Sequence, residues 1–524
     1  MKTIQINLLL FLSLFTPWLF ANNLAIQNFT ITNHNASELS VDIQFDISWE
    51  NGWKDETNWD AVWVFVKYKQ NEDSGPYQHI NLSENEHFFP ENSSFTLPED
   101  RKGVFIYRKD IGTGNSSFSN VRLHWNYGDA GIENTDNINF KIFGIEMVYV
   151  PQGSFYLGDG QTIANELYGN FERGNTGGTF QVTSENSLTL GGSGEESLGN
   201  NNGINQYAST MNCSGCLNGS GDDFNDNTSQ TLPNDFPKGY NAFYCMKYEM
   251  SQQQFVDMLN CLTTQQQTTY LTSTNTFYYS GSLIDNRYDI DIQGDNYSTS
   301  DPYAPIIFFD WIKSAAYADW AALRPMTELE FEKACRGFEL PVTNEYAWGN
   351  AQVDISNNLT LANVGEPNES ISSGYDSSGV NGNSIMRVGN QFIQRVARVG
   401  VFAAHPSNNG RVSSGATLWG IMEMSGNAWE RAVSVGHTEG RKFTGIHGDG
   451  ALTNYGYANV TNWPGTLDNN IVQSNLGVGY RGGALAFPTP NLERNGRVSS
   501  RRLASGYWNT VINDDGVRFV RSVN

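Results

Sequence analysis

From residue 39 to residue 49 the apolar side chains fall on every second position, Leu39, Val41, Ile43, Phe45, Ile47 and Trp49. That is the period of a strand with one buried face. Further strand-like runs follow at Ala61 to Val66, Gly103 to Tyr107 and Val121 to Trp125, separated by Asn, Asp, Gly, Ser and Pro clusters. No helical periodicity intervenes, so the pattern predicts a β-sandwich of immunoglobulin-like size over residues 22–140.

A different pattern starts near Ile145. Residues 145–155 are strongly apolar, and a second domain is expected to run from there to residue 524. Between about 158 and 237 the chain is rich in Gly, Asn, Ser and Thr with few large apolar residues, which reads as a surface insertion. Three helices are predicted beyond it. Ser251 to Gln254 is a capping box, followed at helical spacing by Phe255, Met258, Leu259 and Leu262. Thr327 to Glu330 is another, with Gly337 placed to end the helix. The Ala- and Trp-rich stretch from Asp310 to Leu323 makes the third. The predicted class is α+β.

Charge and export signals narrow the partners. The 524-residue chain has 32 Lys and Arg against 55 Asp and Glu, a formal net charge of -23, and no basic run, which argues against nucleic acid. Residues 1–21 read as an export signal: Lys2, the apolar Leu8 to Phe15, and a small-residue cleavage point at Ala21. The apolar run falls short of the roughly 20 residues that span a bilayer. The expectation is a secreted or periplasmic protein with no lipobox Cys and no integral membrane segment after signal removal. Five cysteines are too few for a disulfide-built scaffold of this size. Cys213 and Cys216 suit a local disulfide, whereas Cys245, Cys261 and Cys335 lie on predicted apolar faces and read as buried thiols.

Six strings then occur in a telling order: Met147 to Phe155, Lys247 to Phe255, Arg324 to Glu332, Gly426 to Glu430, Arg481 to Gly483, and Gly516 to Phe519. Together they resemble the formylglycine-generating enzyme, or sulfatase-modifying factor, family over roughly residues 145–522. The resemblance implies a C-type-lectin-like domain with little regular secondary structure. It also implies a calcium loop in which Glu423 and Glu430 supply carboxylates and Gly426 and Ala428 supply carbonyls. Calcium wants six to eight oxygens, which an irregular loop can offer. A second family calcium site matches Asn363 and Val364, but its acidic partner falls at residues 390–393, where no Asp or Glu stands. Asp376 is the available substitute.

The family's chemistry depends on two Cys after Arg481, Gly482 and Gly483, whose thiolates hold copper(I); soft thiolates suit that ion. Here Ala484 follows the glycines, and Phe487 and Leu492 fall near the two Cys positions. Copper is therefore not expected. His437 and His447, with Glu439 and Asp449, are the nearest approach to an iron site, without the close spacing such a site needs. No nucleophile elbow, zincin helix or phosphate-binding loop is present. Arg494, Arg497, Arg501 and Arg502 either line an anion-binding cleft or pair with carboxylates. The expectation is a binding or structural module for an unidentified protein or glycan ligand. One alternative is an oxidase of the same family using non-cysteine residues. Another is a carbohydrate-binding protein presenting Trp49, Trp53, Trp59 or Trp63.

Overall fold

The structure, a computed structural model, describes residues 24–71, 74–160, 170–201, 228–270, 287–294, 296–354, 359–386, 395–467, 470–485, 492–505 and 515–523. Residues 1–21, read in the sequence as an export signal, and Cys213, Cys216 and Phe487 lie outside these. Eight strands open the chain: β1 (Ala25–Asn35), β2 (Ser40–Lys54), β3 (Asp60–Gln70), β4 (Gln78–His79), β5 (Ser93–Thr96), β6 (Val104–Arg108), β7 (Gly112–Asn126) and β8 (Ile138–Val150). Strands β1, β2 and β7 form one antiparallel sheet. It packs on β3 and β6 through Ile43, Phe45, Ile47, Val62, Val64, Val104, Val121 and Leu123, all buried. This is the predicted sandwich, and the alternation from Val41 to Trp49 faces its core.

The second layer of that sandwich does not end with it. Strand β3 pairs with β8 from Asp60 opposite Val148 to Gln70 opposite Ile138. β8 then pairs with Phe243–Met246, which pairs with Phe519–Ser522, so one sheet of eight strands runs through both halves of the chain. The expected boundary at residues 140–145 falls inside β8. Two-faced burial explains the unbroken apolar run in β3. Val62, Val64 and Val66 face the sandwich core, while Ala61, Trp63 and Phe65 face a second core shared with the helices. Large side chains removed from water in this way contribute on the order of 1.5–3 kcal/mol each.

Polar contacts fasten the same junction. Lys247 Nζ, buried, sits 3.1 Å from Asp60 and 3.3 Å from Glu146. Trp63 Nε1 donates to the Ala321 carbonyl at 3.0 Å, and Lys67 Nζ to that of Gly450 at 2.9 Å.

Of the six α-helices among the described residues, the first four in chain order are α1 (Gln252–Leu259), α2 (Thr264–Gln267), α3 (Trp311–Trp320) and α4 (Glu328–Arg336), and two short ones follow at Arg411–Ser414 and Thr438–Arg441. The Ser251 and Thr327 capping boxes form as predicted, and Asp310 caps α3. Helix α2 was not predicted; Thr263 and Gln266 make its capping box.

Within the stretch read as a surface insertion, described residues form strands and reach the core. Strands Asn170–Arg173, Ser197–Asn201, Leu188–Gly191 and Ser229–Leu232 form a sheet in that order. Phe171, Val182, Leu190, Leu198, Leu232 and Phe236 are buried in the main core. A few large side chains seat a segment of low average hydropathy, and its glycines permit close backbone approach. A Cβ on Gly199 would lie 1.7 Å from the Gly174 oxygen. Among the described residues no helix is long and apolar enough to cross a membrane.

Candidate functional site: a buried carboxylate loop beside a glycine turn

The strings at Met424 to Glu430 and Arg481 to Gly483 meet in space. Strand Trp429–Val433 pairs antiparallel with Val478–Arg481, Glu430 opposite Arg481, and parallel with Asp515–Gly516. Gly426 N–H donates to the Gly482 carbonyl at 2.8 Å. The loop before the strand takes left-handed backbone at Glu423, Gly426 and Asn427, with φ of 56°, 101° and 66°. Glycine adopts this at little cost and asparagine tolerates it, whereas glutamate does not favour it. Surrounding bonds hold it in place. Asn427 Nδ2 and Ala428 N–H donate to the two oxygens of Glu249 at 2.6 and 2.8 Å. Asn427 N–H donates to the Ile385 carbonyl at 2.8 Å.

Three buried acids surround this loop: Glu249, Glu423 and Glu430. Glu423 Oε1 accepts the Gly400 N–H at 3.0 Å, and Glu430 Oε1 accepts from Arg518 Nε at 2.9 Å. The Oε2 atoms of both are buried and have no hydrogen-bond partner among the described residues. Burial pushes the Glu423 carboxyl up to about 7, against the pull of Arg518, the Gly400 N–H and Arg398. Burial also raises Glu430, with Arg518 opposing, and it raises Glu249 well above the usual range with help from Glu423 and Glu430. Excess negative charge enclosed in protein demands protons or a cation. The two unpartnered carboxylate oxygens belong to the residues from which a calcium loop is expected. No group of three or more His, Cys, Asp or Glu among the described residues is arranged to hold a metal ion. A cation here would therefore need backbone carbonyls as well.

The second expected site is arranged differently. Asn363, at φ 54°, starts a turn in which its carbonyl accepts the Glu366 N–H at 3.0 Å, and Val364 is exposed. Asp376 accepts from Ser378 N–H at 2.7 Å and from Asn381 Nδ2 at 2.8 Å, stabilising its own turn. Buried Glu369 accepts the Gly365 N–H of the Asn363 turn at 3.0 Å, and Arg287 occupies the same carboxylate.

Arg481 is fully buried within a chain of ion pairs. It lies 3.1 Å from Glu328 and 2.7 Å from Glu332; Arg501 reaches Glu328 at 2.8 Å and Arg336 reaches Glu332 at 3.1 Å. Arg501 thus takes the carboxylate-pairing option. This web fixes the backbone that leads into Gly482 and Gly483. Ala484 then packs with Trp429 and Tyr480, and Leu492 begins a short 3-10 turn, Leu492–Gly496. Cys245, Cys261 and Cys335 are free and buried. Burial raises all three thiols, Cys261 to about 11.

His437 and His447 serve separate backbone contacts. His437 Nδ1 accepts the Glu439 N–H at 3.0 Å as the cap of Thr438–Arg441, whereas His447 Nε2 accepts the Ser522 N–H at 2.9 Å. Burial, Arg521 and Arg324 hold His447 well below its usual value. Of the four tryptophans expected as glycan contacts, Trp49 and Trp63 are core residues. The Lys247 ammonium lies 4.9 Å from the Trp53 ring, and Trp59 stacks on Tyr149 at 4.0 Å and Tyr107 at 5.2 Å.

Glu249 and Arg518 escaped sequence reasoning as site residues. Both are charged residues set inside apolar strings, which is the signal that would have found them. A family model described as the sulfatase-modifying factor enzyme 1-like domain matches residues 220–523. No curated protein matches the chain.

Proposed function

The chain belongs to the sulfatase-modifying factor enzyme 1-like family, and we propose that it is an exported member that does not generate formylglycine and serves as a binding or structural module. The observation that carries this reading is the residue set after the buried Arg481. Ala484, Phe487 and Leu492 stand where the family's thiol chemistry would begin, and no Cys follows Cys335. The described thiols do not substitute. They are buried in the core with their ionisation suppressed, and only the thiolate form ligates copper(I) or attacks.

In the same reading the Glu423–Glu430 loop holds calcium. Glu423 and Glu430 supply carboxylate oxygens, and Gly426 and Ala428 supply carbonyls. The ion would tie the loop to the strand Trp429–Val433 and neutralise buried charge, a structural role. Metal analysis of purified protein tests this. Calcium retained without stoichiometric copper or iron supports the module, whereas copper or iron lost on His437→Ala or His447→Ala substitution favours the oxidase.

A further inference from the structure

Arg287 uses all five of its N–H donors in one buried place. Nη1 donates to Glu369 Oε1 at 2.8 Å and to the Val396 carbonyl at 2.9 Å. Nε donates to Asp301 Oδ2 at 2.5 Å, and Nη2 bridges Asp301 Oδ1 and Glu369 Oε2. Arg287 is 5% exposed and Glu369 0%, so a planar, fully satisfied guanidinium lies between two acids distant in sequence.

Glu369 links this ion pair to the Asn363 turn. Its Oε2 also accepts the Gly365 N–H at 3.0 Å and its Oε1 the Arg398 N–H at 2.8 Å. Gly365 runs close to Asp301; a Cβ there would lie 3.9 Å from Oδ1. The buried Asp301 and Glu369 oxygens that a divalent ion would seek beside Asn363 and Val364 are thus already engaged by N–H donors. A cation added there would face a buried positive charge, and displacing the guanidinium would strand it.

We infer that Arg287 is the resident cation of the 363–369 loop, so that this loop binds no calcium in the native chain. Removing the guanidinium uncovers a hard-cation site formed by Asp301, Glu369 and the Val396 carbonyl. Calcium stoichiometry by equilibrium dialysis tests it. Arg287→Ala should bind one more ion per chain than the native protein, and Arg287→Ala combined with Glu369→Gln should lose that ion. Both comparisons are repeated with Glu430→Gln, which removes any contribution from the Glu423 loop, so failure at either place is distinguishable. A folded Arg287→Ala protein that gains no calcium overturns the inference. If that variant fails to fold, Glu369→Gln alone decides: an unchanged calcium count supports the inference, and a drop of one ion overturns it.

Discussion

Arg518 presents Nε and Nη2 to a single oxygen of Glu430, at 2.9 and 2.8 Å, and leaves the second oxygen buried without a partner among the described residues. The same guanidinium donates to the carbonyls of Met246 and Met422 at 2.7 Å each. One residue therefore joins the final strand, the central sheet and the carboxylate loop. Replacing it strands a buried charge. Arg518→Met should lower unfolding free energy by about 3–5 kcal/mol in calcium-free urea titrations; a loss under about 1 kcal/mol would mean that Glu430 finds another partner.

Calcium should raise the melting temperature of the native protein, and Glu430→Gln should remove most of that gain. At free calcium one hundred times the dissociation constant, linkage gives about 2.7 kcal/mol. Scanning calorimetry with and without chelator measures it. Equal calcium stabilisation of the native and Glu430→Gln proteins would place the ion elsewhere.

Lys67 supplies a pH dependence with a definite sign. Burial lowers its ammonium from 10.5 to about 7. Between pH 7 and 10.5 the unfolded chain holds this proton and the folded chain does not, so the contribution makes stability rise with pH, by on the order of 4 kcal/mol over the window. Lys67→Met should flatten that rise in urea titrations at pH 7, 8, 9 and 10. A slope identical to that of the native protein contradicts the assignment.

The shared sheet predicts that residues 145–524 do not stand alone. Without β3, the edge of Ile145–Val150 loses its ladder and the Trp63 and Phe65 side of the core opens. An unpaired apolar edge of this kind invites aggregation. Expression of that segment should give aggregated material by size-exclusion chromatography. A monodisperse product with native melting temperature would show the sandwich to be dispensable.

The elements that were legible in sequence are those written locally. Alternation at Val41 to Trp49 gave β2, and the Ser251 and Thr327 boxes gave α1 and α4, because period and cap are contained within a few residues. The junction was not legible. Pairing of Val62 with Glu146 joins positions far apart, and nothing near Ile145 marks it as the middle of a strand. Phe171, Leu190 and Leu198 were hidden among Gly and Ser, whose role as permissive backbone is visible only in contact. At the site, Glu423 and Glu430 were named from the motif. Glu249 and Arg518, which respectively hold the loop and set its charge, reach it through long-range packing. Arg287 opposes the Asn363 turn through a contact that no local spacing encodes.

The proposed function has the family's architecture persisting without its thiol chemistry. Mass spectrometry of a sulfatase-type Cys peptide incubated with the purified protein, oxygen and copper(I) tests it most directly. The expected result is no conversion of cysteine to formylglycine above a heat-killed control. Conversion above that control would contradict the account.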